Sequence, residues 1–145
     1  MGNLTDIEIK LRSIRNSYEL SRFWFNRFGL NHDVVKSIEE YGNYNIKNLF
    51  TFLDNLGYTL FVNDVQIDNI EDFGKYLRSL RKNKKLTIKQ LSNILNCSTQ
   101  QIVSVELGRG YYKSTLLKYL SVFKVDFTVN QVFVELGDYK IEDNG

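Results

Sequence analysis

The chain has 145 residues, room for one ordinary domain or two very small ones, and 43% of them are hydrophobic, enough for a packed core. Charged residues make up 25% but the net charge is only +2, so the total alone does not mark a polyanion as partner. A single cysteine, Cys97, excludes an intrachain disulfide and a multi-cysteine zinc site and suits a reducing cytoplasm; no apolar run approaches a membrane span and no signal peptide opens the chain.

Two copies of one unit order the chain. The string LRSIR at Leu11–Arg15 returns as LRSLR at Leu77–Arg81, an offset of 66, and SIE at Ser37–Glu39 returns as SVE at Ser104–Glu106, an offset of 67. The first copy is therefore one residue shorter, somewhere between Phe25 and Gly29. The reading gives a first repeat over 1–68, a second over 69–138 and an acidic tail over 139–145.

In the first repeat, RFWFNRF at 22–28 cannot place all its aromatic rings inward on one helix. Trp24 and its neighbours suit the core, and any ring left exposed there would mark an interface. His32 suits a surface position rather than a catalyst or ligand. Leu49, Phe50, Phe52, Leu53 and Leu56 follow a helical period. Tyr58, Leu60 and Val62 then alternate, Asn63 and Asp64 offer a turn, and Val65 and Ile67 alternate back, which predicts a β-hairpin.

In the second repeat, Phe73, Leu77 and Leu80 recur at i, i+4 and i+7 and predict an amphipathic first helix. Thr87 offers an N-cap with Gln90 three residues on, a capping-box spacing, and Leu91 and Ile94 mark the apolar face of a short second helix. Ser98 offers the next N-cap with Gln101 at the same spacing. Ile102 and Val105 form the buried face of a third helix that Gly108 can end. Leu116, Leu117, Leu120 and Phe123 mark a longer fourth helix. Val125, Phe127 and Val129 then alternate, Asn130 and Gln131 can turn, and Val132, Val134 and Leu136 alternate back as a second hairpin.

Charge is unevenly distributed. Residues 1–63 balance, 64–73 carry −4, and 131–145 carry −3, whereas 74–130 hold eleven basic and two acidic side chains, net +9. A compact basic segment in a near-neutral protein is the electrostatic footprint of nucleic-acid binding.

The string LTIKQLSNILNCSTQQIVSVELGRG, Leu86–Gly110, resembles the Cro/cI (XRE) family of helix-turn-helix repressors. Leu91-Ser92 stands where the family has Leu-Ala, Leu95-Asn96 where it has Leu-Gly, and Ile102, Val105, Glu106 and Gly108 complete the pattern. Asn96 replaces a turn glycine with the residue type next most tolerant of positive φ. The resemblance covers about a third of the chain and extends to the first repeat only through the internal duplication. It implies a mainly α fold with small β-hairpins: two lambda-repressor-like helix-turn-helix units, each ending in a hairpin.

With Ile102 and Val105 turned inward, Thr99, Gln100, Gln101, Val103 and Ser104 become the base-reading candidates of a helix in the major groove. Gln100 suits adenine N6 and N7, and Val103 a thymine methyl. Arg78, Arg81, Lys85, Lys89, Ser98, Arg109, Tyr112 and Lys113 are candidates for phosphate contacts, which position without reading sequence. In the first repeat the outward residues are His32, Asp33, Lys36 and Ser37. Without the basic residues of the second repeat, His32, Lys36 and Ser37 form at most a weak second reader.

The reading is thus a phage or bacterial transcriptional repressor that binds double-stranded DNA, either as a homodimer or as an intrachain pseudo-dimer joined by its hairpins. The rival is an antitoxin that binds a protein partner through the first repeat and represses its own operon. An enzyme is disfavoured, since one histidine and one cysteine leave few nucleophile–base pairs, and no phosphate-binding glycine motif is present. The DFG string at Asp72–Gly74 lacks every companion motif of a kinase. No cofactor or metal is expected.

Overall fold

In a computed structural model, which describes residues 2–132, the chain is mainly helical with a small antiparallel sheet. The first repeat holds α1 (Leu4–Ser17), a 3-10 helix (Arg22–Phe28), α2 (His32–Glu39), α3 (Ile46–Leu56), β1 (Tyr58–Val62) and β2 (Val65–Ile67). The second holds α4 (Ile70–Asn83), α5 (Ile88–Leu95), α6 (Thr99–Leu107), α7 (Lys113–Leu120) and β3 (Phe127–Gln131). No helix among the described residues is long and apolar enough to cross a membrane.

Equivalent elements start alike for the same local reason. α1 and α4 are each 14 residues long, and each begins on an asparagine whose side chain accepts the amide of an aspartate three residues on, Asp6 at 2.9 Å and Asp72 at 2.7 Å. The residue missing from the first repeat falls in its second helix. There the chain winds as a seven-residue 3-10 helix where the second repeat has the eight-residue α5. At ~2.0 against ~1.5 Å per residue, seven residues of the tighter helix span about as far as eight of the wider one, so the frame survives the deletion.

The β1–β2 hairpin forms as expected, with Val62 opposite Val65 and Leu60 opposite Ile67. Its two turn residues, Asn63 (φ 50°) and Asp64 (φ 66°), both adopt the left-handed conformation that a two-residue turn demands. The expected second turn at Asn130-Gln131 does not form. β3 runs straight through both residues, because Thr59 and Tyr58 of β1 face them in an antiparallel ladder, and ladder bonds outweigh a weak turn pair. The return strand at Val134 and Leu136 and the tail 139–145 lie outside the described residues.

Three further readings need correction. Ile94 is 55% exposed, and Leu95, one turn after Leu91, is buried in its place. Leu117 is 47% exposed, Tyr119 taking the inward position. α7 is also no longer than its neighbours: it ends at Leu120, and Phe123 packs from the loop beyond.

The two repeats meet about a local two-fold axis. Asn45 pairs with Tyr112 in an isolated bridge, and Phe61 pairs with Thr128 in the β1–β3 ladder. Each residue faces its own equivalent, 67 positions on, and an antiparallel pair of equivalent residues lies on a two-fold axis. The bridge's hydrogen bonds obey the same symmetry: Ile46 N donates to Tyr111 O and Lys113 N to Tyr44 O, both at 2.8 Å. The first hairpin thus pairs through β1 with the single strand β3 of the same chain, where the intrachain alternative expected two hairpins to pair.

One hydrophobic core serves both repeats, running from Leu4 and Leu11 through Phe52 and Leu60 to Phe73, Val105 and Val129. Polar groups fasten the seam. Lys113 of α7 donates to the Glu8 carboxylate of α1 at 2.7 Å, and the Tyr44 hydroxyl donates to the same oxygen at 2.6 Å. Burial, together with the Glu8 charge, pushes the Tyr44 pKa far up, so the hydroxyl stays a neutral donor. Asn43 of the first repeat caps α7 of the second by accepting from Ser114 N at 2.9 Å.

Candidate nucleic-acid interface

α5 and α6 are joined by a three-residue turn, and side-chain chemistry fixes each boundary. Thr87 and Gln90 form the reciprocal capping box at the start of α5, with bonds of 3.0 and 2.9 Å. Asn96 ends α5 in the left-handed conformation at φ 54°, the role its substitution for glycine implies. Ser98 caps α6 by accepting from Gln101 N at 3.2 Å. The reciprocal bond from the Gln101 side chain does not form, which leaves that amide uncommitted. Gly108 ends α6 at φ 70° against the α4 backbone, where any Cβ would strike Glu71.

Ile102 and Val105 face the core, as expected, and hold the opposite face of α6 outward. Thr99, Gln100 and Gln101 are exposed, and Val103 and Ser104 are half-buried. Beside them a groove of about 520 Å³ is lined by Lys75 and Arg78, by Ile88, Val103 and Leu107, and by the carboxylates Glu71 and Glu106.

The structure takes Arg81 and Lys113 off the list of phosphate-contacting candidates. Arg81 is buried and makes a two-point ion pair with Glu106, at 2.7 and 2.9 Å, while donating to the Leu86 carbonyl at 2.8 Å. Its hydrogen bonds to Glu106 keep the guanidinium charged, and Tyr119 adds a donor to the same carboxylate at 2.7 Å. Lys113 is consumed by Glu8, as described above. Charged groups desolvated inside the fold have no reach to a phosphate.

Arg78, Lys85, Lys89, Ser98, Arg109 and Tyr112 remain exposed. So do Lys75, Lys82, Lys84, Lys118 and Lys124, which are not among the phosphate candidates. Nine cations of the basic segment thus reach solvent, and none makes an ion pair among the described residues. Lys85 and Lys89 flank the start of α5, and Arg109 follows the end of α6. Lys84 also lies over the Phe123 ring, at 5.9 Å from its centroid.

The first repeat keeps the frame and changes the surface. Its brace is the equivalent pair: Arg15 donates to Glu39, at 2.9 Å from Nη2, and to the Leu20 carbonyl. Where Tyr119 completes the second brace, Phe52 stands in the first, and Arg22 supplies the missing donor to Glu39 at 2.9 Å. On α2, Asp33 is almost fully exposed, Lys36 is exposed, and His32 and Ser37 are half-buried. The Phe23 ring stacks on His32 at 4.2 Å. Phe25 is core as expected, but Phe23 is 65% and Phe28 47% exposed, the outward aromatic patch that the crowded string foretold.

No family model, curated protein or solved structure matches the chain.

Proposed function

We propose that the chain is a sequence-specific DNA-binding transcriptional regulator, a repressor by type, that acts in the cytoplasm without catalysis or cofactor. α6 enters the major groove and reads bases with Thr99, Gln100, Gln101, Val103 and Ser104. Arg78, Lys85, Lys89, Arg109 and Tyr112 hold the phosphates. The observation that carries this reading is the solvent-exposed start of α6, three exposed polar side chains on a capped helix, in a segment with nine exposed cations that make no ion pair among the described residues. Polar groups with no partner among the described residues, on a capped helix in a basic segment, are what base-edge recognition needs.

Selection from random duplex DNA by the purified protein tests it. The expected result is an enriched motif whose binding weakens steeply with salt. Equal recovery of all sequences would overturn the assignment of α6 as a reader. The antitoxin reading draws on one observation, the exposed rings of Phe23 and Phe28 on the first repeat. It predicts a co-purifying protein partner lost on Phe23→Ser.

A further inference from the structure

The local two-fold axis has a consequence for what the chain recognises. A two-fold rotation preserves direction along its axis, so equivalent helices near one end of it face the same side. A hollow of about 240 Å³ shows which end this is: Asn31, Asp33 and Ser37 around the start of α2 line it together with Asn45 and Tyr112, the bridge on the axis. The equivalents at the start of α6 are Ser98, Gln100 and Ser104, so the symmetry turns the leading turns of α2 and α6 toward the same side of the molecule. The strand surface that would join two copies is already used, because β1 pairs along its length with β3 of the same chain.

We infer that one molecule engages one DNA duplex through both third helices, at a site whose two halves differ in sequence. This rests on the DNA-binding reading above and extends it. Position by position, the second head carries different chemistry: Asp33 stands at the place of Gln100, and Lys36 at the place of Val103. Gln100 pairs with adenine. Asp33, with 95% of its side chain exposed, accepts only, and cytosine N4 is the major-groove donor that suits it. Lys36 donates, and guanine O6 and N7 accept. The α2 half of the site is therefore G·C-selective where the α6 half is A·T-selective. Fewer cations surround α2, so the α6 half supplies most of the affinity.

Native mass spectrometry of the complex with selected DNA, followed by selection with Asp33→Asn, tests this. The expected complex holds one protein chain per duplex. The enriched motif has two unlike halves. Asn prefers adenine, so Asp33→Asn shifts the α2 half from cytosine to adenine by about tenfold and leaves the α6 half unchanged. Two chains on a palindrome would overturn the inference and leave the α6 reading standing, as would a single half-site indifferent to Asp33→Asn. No enriched sequence at all would overturn the DNA-binding reading and this inference with it.

Discussion

Gln100 and Lys89 separate two kinds of contact at the residue scale. Both are exposed, but one is placed to read a base edge and the other to hold a phosphate. Gln100→Ala is expected to cost about 1–3 kcal/mol at one base position, and Lys89→Ala to weaken all sequences alike while lowering the salt slope by ~1. Competition binding on specific and random duplexes checks both, and equal losses on the two for Gln100→Ala would contradict the assignment. The buried charges make the opposite case. Lys113→Met leaves the Glu8 carboxylate without its counter-charge, and one of its oxygens already has no partner among the described residues. A loss of about 3–5 kcal/mol in urea unfolding is expected, most of it recovered in the Glu8→Leu/Tyr44→Phe/Lys113→Met triple variant, which also removes the hydroxyl that would lose its acceptor. Simple additivity of the single losses would contradict the coupling. Composition could not tell Arg81 and Lys113 from Lys89, since a charge count has no inside or outside. For Arg81 a signal was present: Arg15 and Arg81, like Glu39 and Glu106, are identical between two copies that otherwise diverge. A residue type kept in both copies while surface residues drift is held by the interior. Lys113 has no such mark, because its equivalent is Ile46 and Glu8 stands opposite Gly74.

Boundaries written in local chemistry were legible at the element scale. Thr87 with Gln90, Asn96, Ser98 and Gly108 all act where spacing placed them, because a cap is decided by its own few residues. The inward faces of α5 and α7, and the path of β3, were not legible in this way, because each depends on a partner far away in sequence. Asn130 and Gln131 cannot be known as strand residues without Thr59 and Tyr58 opposite them. α3 carries a prediction of the same local kind. Asp54 lies in its last turn, where the helix dipole disfavours negative charge and no basic residue offsets it. Its pKa is raised, first by desolvation and then by Asp68. A carboxyl raised in the folded state leaves stability intact below its unfolded pKa of about 3.9 and loses it as pH climbs through the raised folded value. Asp54→Asn should therefore stabilise at neutral pH, by only ~0.3 kcal/mol because solvent screens so exposed a group. The gain should vanish near pH ~3, and urea midpoints at the two pH values decide it. A gain that persists at the lower pH would mean the charge is not its cause.

At the scale of the whole molecule, residues of both repeats line a single hydrophobic core. The duplication was visible in sequence, and so was the option of an internal pseudo-dimer. The seam itself was not, because Asn43 on Ser114, Lys113 on Glu8 and β1 on β3 are single-copy contacts that no periodicity announces. Their energetic meaning follows from where they sit. Each repeat would expose much of its apolar interior if the other melted, since residues of both line a single core. Partial unfolding would also strand Glu8 or Lys113 without its counter-charge. The half-unfolded chain is thus disfavoured twice, by exposed apolar area and by an unpaired buried ion. Heat unfolding should accordingly be a single transition with equal calorimetric and van't Hoff enthalpies. Fluorescence from Trp24, a first-repeat probe, should fall at the same midpoint as the helical signal of the whole chain. Two separated transitions would mean that the repeats are independent domains and that the two-fold seam is too weak to hold the third helices in one frame.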